Sequence, residues 1–199
     1  MADISIDEIK RLRSLTGVGI TDAKQALVEA GGDFDEALAA MRKKGLTKAE
    51  KRSEREARSG LIGSYVHDGR IGVLLEVNCE TDFVAKTDEF KELVKDISLH
   101  IAAAAPEYVS AEDVPEEDKK AVEAELKQKA KADGKADKMI AQIVDGQLSK
   151  YFAEKCLLNQ PYVKNPDQTV GEYIKEHIAK LGENIVVRRF SRMVLGEVN

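Results

Sequence analysis

The strongest structural signal in this sequence is an antiparallel hairpin at residues 60–78. Two alternating apolar runs flank Asp68-Gly69, a residue pair that favours a tight turn because both positions tolerate positive φ. A two-residue turn fixes the pairing and places alternate side chains on opposite faces of the hairpin. It predicts one mostly aliphatic face, made of the pairs Val66–Ile71, Ser64–Val73 and Ile62–Leu75. The opposite face would carry Gly63, Tyr65, Gly72 and Leu74.

The sequence after the hairpin predicts helices that pack on a small sheet. Thr87 can cap a helix that ends at Pro106. Apolar residues at helical spacing in this helix form the stripe Phe90, Leu93, Val94, Ile97 and Ile101. A second striped helix follows the capping box Thr169-Val170-Gly171-Glu172, and residues 184–195 predict a third strand. Between the two striped helices we expect a helical hairpin near residues 115–157 and a loop at 159–168. Residues 60–199 therefore predict an α+β core domain, in which helices pack on a three-stranded antiparallel sheet.

The first 46 residues predict a separate bundle of three short helices. Ser5 and Glu8 form a capping box before the first helix, and Thr21 can cap the second. Asp33 opens the third helix, which is expected to close at Gly45. Three short helices give a barely sufficient core, so this module is expected to pack against a partner or the remaining chain.

Residues 47–59 form a charged segment in which lysines and arginines alternate with glutamates. Such a run is typical of a solvated linker. The alternative is an arm that contacts RNA, and the interleaved acidic residues weaken that interpretation.

Composition and motifs argue against several classes of function. The net charge of −5 disfavours general nucleic-acid binding, and no apolar run approaches the roughly 20 residues that span a bilayer. The acidic N-terminus lacks an apolar targeting segment, and the two distant cysteines indicate neither a disulfide framework nor a zinc site, so we expect a cytoplasmic protein. The sequence has no phosphate-binding or dinucleotide-binding glycine motif, and its three histidines lack the spacing of a helical metal pair. We therefore expect no cofactor, no metal site and no enzymatic activity.

One cysteine and two histidines are of residue types that can take part in catalysis. Cys79 precedes an acidic residue closely, but a thiol enzyme would need a histidine base from elsewhere in the fold. We expect Cys79 to be a small buried apolar residue instead. His100 and His177 each lie beside an apolar helical stripe and are expected to be packed core residues.

The junction between the hairpin and the following helix contains Thr81, Asp82, Phe83 and Val84. Periodicity alone allows Phe83 and Val84 to begin the core face of the next helix, with Asp82 as its cap. The other interpretation is a recognition loop, because a loop held between a strand and a helix is a rigid mount for a projecting side chain.

Two segments carry a resemblance to a known family. The Thr81-Asp82-Phe83-Val84 segment resembles the second signature of bacterial elongation factor Ts, and residues 12–27 match the first signature along its whole length. The single hairpin, single signature loop and single closing strand resemble the short form of that family. This resemblance implies that residues 1–46 form a ubiquitin-associated-like bundle.

The resemblance also implies a function. It implies a guanine-nucleotide exchange factor for elongation factor Tu, whose Thr81–Val84 loop presses beside the partner's magnesium site, with Phe83 as the wedge. Arg13, Ile20 and Lys24 would dock the N-terminal module on the GTPase domain, and His67 would be a further contact of the core. It implies a homodimer formed through the core sheet, with no direct contact to nucleic acid or membrane. The rival interpretation is an adaptor that binds peptides or ubiquitin-like proteins through residues 1–45.

Overall fold

The computed structural model of the chain describes residues 4–16, 18–134 and 136–197. In those ranges the helices are α1 (Ile6–Thr16), α2 (Ile20–Glu29), α3 (Phe34–Glu50), α4 (Asp82–Ala85), α5 (Asp88–Ala104), α6 (Glu116–Ala132), α7 (Asp137–Lys155) and α8 (Val170–Leu181). The strands are β1 (Ser59–His67), β2 (Ile71–Cys79), β3 (Pro161–Tyr162), β4 (Asn165–Thr169) and β5 (Ile185–Val194).

The predicted α+β architecture is confirmed. Among the described strands, β1, β2 and β5 form an antiparallel sheet in the order β1-β2-β5, so the predicted third strand pairs with the hairpin. Helices α5 and α8 pack on one face of this sheet. The α5 stripe predicted from the sequence is buried there, with Phe90, Leu93, Val94, Ile97 and Ile101 in the main hydrophobic core.

The hairpin turn forms at the predicted residues, but its pairing differs from the prediction. Asp68 and Gly69 have φ angles of 49° and 66°, and the Arg70 amide donates to the His67 carbonyl at 2.9 Å. However, His67 pairs with Ile71, so Arg70 also lies in the loop and the register is displaced by one residue. The predicted pairs of Val66, Ser64 and Ile62 are therefore wrong.

This displacement exchanges the two faces of β1. Ile62, Ser64 and Val66 point away from the core, and Leu61, Gly63 and Tyr65 face it. The physical reason lies in the helix beneath the sheet. A Cβ atom at Gly63 would lie 2.3 Å from Cγ1 of Val94, so only glycine lets α5 approach β1 this closely.

We expect Gly63→Ala to lower the free energy of unfolding by about 1–3 kcal/mol, because an added methyl group must displace the buried Val94. The measurement is chemical denaturation at equilibrium. Gly72→Ala is the matched control, since a Cβ there meets nothing within 4 Å. It should change the stability by less than about 1 kcal/mol. Equal losses in both variants would contradict the proposed close approach of α5.

The N-terminal helices begin as predicted in two cases out of three among the described residues. The Ser5–Glu8 capping box is present, and the Asp33 carboxylate accepts from the amides of Asp35 and Glu36. Helix α2 instead begins at Ile20, because the Gly19 carbonyl already accepts the first helical hydrogen bond, and Thr21 is not its cap.

Helix α3 continues beyond its predicted end at Gly45 and stops at Glu50. A Cβ at Gly45 would lie 3.3 Å from the Cβ of Ala179, so this glycine permits close packing of α3 on α8 instead of ending the helix. Ala49 belongs to the main core. The domain boundaries at residues 1–46, 47–59 and 60–199 remain predictions.

The charged segment after α3 is tied to the core through its arginines. Arg52 donates to the Ile178 carbonyl at 3.1 Å, and Arg55 lies 3.5 Å from the Glu80 carboxylate. Arg58 pairs with Glu56 inside the segment. These contacts pair three of its cations within the protein and hold the segment on the core.

The helical hairpin of α6 and α7 begins after Pro115, as predicted, and has its own small core of Ala130, Ile140 and Val144. The segment predicted as a loop at 159–168 instead contains the strand pair β3–β4. Such short strands tolerate Pro161 and Pro166 because few of their amides must be paired. The buried side chain of Tyr162 anchors the pair on α5.

Asp96 is the centre of this anchor. Its carboxylate accepts hydrogen bonds from the hydroxyls of Tyr162 at 2.9 Å and Tyr173 at 3.0 Å, and from the Lys164 ammonium at 2.6 Å. Burial is the largest single influence and raises the pKa of Asp96, but these hydrogen bonds together outweigh it and lower the pKa below its usual value. The ionised carboxylate is therefore part of the folded structure.

A lowered pKa in the folded state makes stability depend on pH. The contribution of Asp96 is complete above its unfolded pKa of about 3.9 and is lost as the pH falls through the folded value. We expect the free energy of unfolding to fall less steeply below about pH 4 in Asp96→Asn than in the unmodified protein. The exposed Asp167→Asn is the control and should keep the original pH profile. Identical profiles for all three proteins would contradict this role.

His100 and His177 also take structural positions. His100 is fully buried, lies 2.9 Å from Oε1 of Gln160, and accepts from the Val163 amide at Nδ1, as the packed interpretation predicted. Burial lowers its pKa. His177 is half-buried, with Nδ1 2.9 Å from the Tyr173 carbonyl oxygen.

Candidate partner-binding site

The candidate site is the loop between β2 and α5. Thr81 accepts from the Val84 amide at 3.4 Å and so caps the single turn of α4. Thr87 accepts from the Phe90 amide at 3.2 Å and caps α5. The Thr87 hydroxyl also donates to the Val84 carbonyl at 2.7 Å, so a threonine holds each end of α4 and the short helix is a firmly mounted projection from the sheet.

Phe83 projects from this mount into solvent. Its side chain is 79% exposed, the largest exposure of the described large hydrophobic residues. Val84 is half-buried against the main core, and Ala85 is buried. The interpretation in which Phe83 begins the core face of the next helix, with Asp82 as its cap, is therefore wrong. Val84 and Ala85 anchor the turn, and Phe83 points outwards.

Asp82 is exposed beside Phe83 and pairs with Lys86 one turn later, at 2.6 Å. The hydrogen bond from Lys86 is the main cause that lowers the pKa of Asp82. The carboxylate is therefore ionised at neutral pH and can form polar contacts with a partner. Lys86 partly neutralises it, so the loop carries a charge pair next to an aromatic ring.

A residue that the sequence did not indicate supports the loop from below. Glu183, in the connection between α8 and β5, accepts hydrogen bonds from the amide and the hydroxyl of Thr81. These residues are 102 positions apart in the chain, and no local pattern connects them. The sequence signal at Gly182-Glu183-Asn184 is only that of a helix end.

The three predicted docking residues of the N-terminal helices are exposed. Arg13 lines a surface cavity of about 440 Å³ together with Glu89 and Lys180, which pair with each other. Glu89 belongs to the first turn of α5, so the structure brings Arg13 next to the helix that follows the Phe83 loop. Ile20 and Lys24 lie on α2 with their side chains in solvent.

His67 is not close to the loop. It lies at the hairpin tip, where the Tyr65 hydroxyl and Nδ1 of His67 are 3.0 Å apart. The loop follows the other end of β2, roughly 25 Å away at about 3.3 Å per strand residue. A partner that contacts both His67 and Phe83 must therefore extend along the whole sheet.

Cys79 is a poor candidate for a nucleophile. Its side chain is fully buried, and the thiol donates to the Thr81 carbonyl at 3.1 Å. Burial, with a smaller effect of the Glu183 charge, raises the pKa of Cys79 to about 11. The thiolate is therefore scarce at neutral pH, and the prediction of a buried apolar residue is confirmed.

The described residues form neither a metal-ligand cluster nor a membrane-spanning helix. Within residues 4–16, 18–134 and 136–197, histidine, cysteine, aspartate and glutamate side chains do not gather in groups of three that could hold a metal ion. None of the described helices combines the length and apolar content that a bilayer crossing requires.

Comparisons with known proteins agree with the family resemblance. The family model described as elongation factor TS matches residues 20–197. A protein named elongation factor Ts from Geobacter sp. (strain M21) is 51% identical over 195 residues, which cover 98% of this chain and 90% of that protein. Proteins of the same name from Moorella thermoacetica and Caldanaerobacter subterraneus subsp. tengcongensis are each 50% identical over 98% of this chain, covering 96% and 98% of their own lengths. The chain therefore belongs to the elongation factor Ts family.

Proposed function

We propose that this protein is a guanine-nucleotide exchange factor for elongation factor Tu and that the Thr81–Val84 loop is its active element. The observation that supports the proposal best is the 79% exposure of Phe83 on a capped, rigid turn. An exposed aromatic side chain gains contact area on binding at little cost in side-chain entropy. A phenylalanine held in this way is suited to press into a partner.

The mechanism follows from differential affinity. A factor accelerates nucleotide release only if it binds the nucleotide-free partner more tightly than the nucleotide-bound partner. Elements of elongation factor Tu beside its magnesium site would have to move to admit the Phe83 ring. Burial of the ring against the moved elements would stabilise that complex by about 1.5–3 kcal/mol. Weakened coordination of magnesium then loosens the hold on the phosphates, and GDP leaves.

Asp82 and Lys86 supply the polar part of this contact. Both side chains of this ion pair are exposed. Either residue can therefore exchange the pair for a contact with elongation factor Tu at little cost. Thr81 keeps its role as the cap, and Val84 holds the turn on the core. In this assignment Phe83 displaces elements of the partner, Asp82 forms a polar contact with it, and Thr81 and Val84 hold and orient the turn.

Docking would use two further surfaces. Arg13, Ile20 and Lys24 present a cationic and apolar surface on the N-terminal helices for the GTPase domain. His67, at the far end of the sheet, would contact a different part of the same partner. The separation of these contacts favours a large partner of more than one domain. We also propose that the protein works in the cytoplasm without a cofactor and without direct contact to nucleic acid or membrane.

The outer face of the sheet supports the proposal of a homodimer. It exposes four large apolar side chains, namely Ile62, Val66, Leu74 and Met193, around the ion pair of Glu76 and Arg189. An apolar sheet face of this kind is stabilised when a second copy covers it. Sedimentation equilibrium at micromolar concentration should show a dimer, and a monomer alone would contradict the proposal.

The exchange proposal is tested by stopped-flow release of a fluorescent GDP analogue from elongation factor Tu. We expect this protein to accelerate release in a concentration-dependent way up to a plateau. Binding to elongation factor Tu without acceleration would contradict the proposal and favour the adaptor that uses residues 1–45. In that case deletion of the Thr81–Val84 loop would leave binding intact.

A further inference from the structure

The Thr81–Val84 loop is fastened to the rest of the fold through two reciprocal contacts. The Glu183 carboxylate accepts from the Thr81 amide at 3.0 Å and from the Thr81 hydroxyl at 2.6 Å. In the other direction, the Glu80 carboxylate accepts from the Asn184 amide at 2.7 Å. We call these four residues, Glu80, Thr81, Glu183 and Asn184, the clasp. It joins the end of the hairpin to the start of β5.

The Glu183 half of the clasp determines how Thr81 caps α4. A hydroxyl group has one proton to donate, and here that proton goes to Oε1 of Glu183. The lone pairs of Thr81 Oγ1 are then directed elsewhere, and one of them accepts from the Val84 amide. Glu183 therefore orients the cap, and the cap orients the turn that carries Phe83.

The other half of the clasp reaches the N-terminal part of the chain. The buried Asn184 side chain donates to the carbonyl oxygens of Ser53 at 3.1 Å and Arg55 at 2.7 Å. Arg55 in turn lies beside the Glu80 carboxylate. Glu183 and Asn184, the two residues before β5, thus hold both the segment that follows α3 and the base of the loop.

We propose that Glu183 is a positioning residue for nucleotide exchange, acting through Thr81 to hold Phe83 in one direction. The proposal rests on the function proposed above, because the direction of Phe83 matters only if Phe83 is the wedge. Glu183 itself is half-buried behind the loop and acts without touching the partner's nucleotide site. Loss of the contact between Glu183 and Thr81 lowers the fraction of molecules in which Phe83 points in the direction needed for exchange.

The variant Glu183→Gln weakens the contact with little change in shape. Each Glu183 oxygen accepts one hydrogen bond from Thr81, and a glutamine has only one such oxygen and no charge, so it cannot keep both bonds in this geometry. Glu172→Gln is the control, because Glu172 also accepts from the amide and hydroxyl of a capping threonine, Thr169, in this case with the single oxygen Oε2 and at the opposite end of α8. Both variants replace a carboxylate that contacts a capping threonine with an amide, one beneath the loop and one far from it.

The first measurement needs no partner. The chain has no tryptophan, so Phe83→Trp places a single fluorescent reporter on the loop. Time-resolved anisotropy reports its local nanosecond motion. We expect Glu183→Gln in this background to increase the amplitude of that motion, and Glu172→Gln to leave it unchanged. Unchanged motion in the folded Glu183→Gln protein would overturn the proposal, whatever the exchange assay shows.

The second measurement is GDP release with Phe83 restored. Glu183→Gln should lower the plateau rate about tenfold, as expected for weakened charge-assisted hydrogen bonds, with the half-saturating concentration nearly unchanged. A raised half-saturating concentration at an unchanged plateau would overturn the proposal. If Glu183→Gln does not fold, Thr81→Val removes the hydroxyl contact to Glu183 together with the cap on Val84 and keeps the amide contact. It should also increase the loop motion, and unchanged motion would overturn the proposal. No acceleration by the unmodified protein would refute the proposed function, while the anisotropy result would still decide the role of Glu183 in holding the loop.

Discussion

Replacing Phe83 with alanine should lower the plateau rate of GDP release about 100-fold, the effect expected when a central aromatic contact is removed. The folded structure should be almost unaffected, because the ring is 79% exposed and makes little contact with the core. The free energy of unfolding should therefore change by less than about 0.5 kcal/mol. The two quantities are measured by stopped-flow release and by equilibrium denaturation.

Met139→Ala is the control for Phe83→Ala. Met139 is another exposed large apolar residue, and it lies on α7, outside the proposed site. Its removal should leave both the release rate and the stability unchanged. Full exchange activity in Phe83→Ala would show that the exposed ring is not the wedge. A large loss of stability in that variant would show that the ring is packed in solution.

Phe90→Ala should have a large effect on stability, in contrast to Phe83→Ala. Phe90 lies seven residues after Phe83 and is fully buried at the start of α5, beneath the sheet. Removing its ring leaves a cavity in the main core, and such a change lowers the free energy of unfolding by about 3–5 kcal/mol. Equilibrium denaturation measures this loss directly.

The two phenylalanine variants control for each other, because the same side chain is shortened in both. A loss below about 1 kcal/mol in Phe90→Ala would contradict the core described here, since it would require almost complete collapse of the cavity. Together the variants separate a phenylalanine kept for binding from one kept for folding.

The sequence predicted elements whose signals are local and periodic. The α5 stripe with its Thr87 cap, the capping box at Thr169 and the strand at 184–195 all depend on residues close together in the chain. Each signal reflects burial of one face or satisfaction of the first helical amides. The structure confirms all three of them.

Features that depend on distant packing were not predicted. The hairpin register follows from the contact of Gly63 with Val94, and α3 continues past Gly45 because α8 lies against it. The support of Thr81 by Glu183 joins residues more than a hundred positions apart. No local pattern contains these contacts, because they exist only after the chain has folded.

The exposure of Phe83 is an intermediate case. Helical spacing allowed this ring to be either a core residue of α5 or a projecting residue, and periodicity could not decide between them. The separate caps of Thr81 and Thr87 divide the segment into two helices, and this division turns Phe83 outwards. The sequence predicted Thr87 as the cap of α5, but it did not reveal that Thr81 caps a separate turn before it.

The most direct test of the central claim is the dependence of exchange on magnesium. The claim is that the Phe83 loop releases GDP by weakening the partner's hold on its magnesium ion. Release from elongation factor Tu should be measured at saturating concentrations of this protein, with millimolar magnesium and again with excess EDTA. We predict a large acceleration over spontaneous release with magnesium and a much smaller one in EDTA, where the ion is already lost. An equal acceleration under both conditions would contradict the claim.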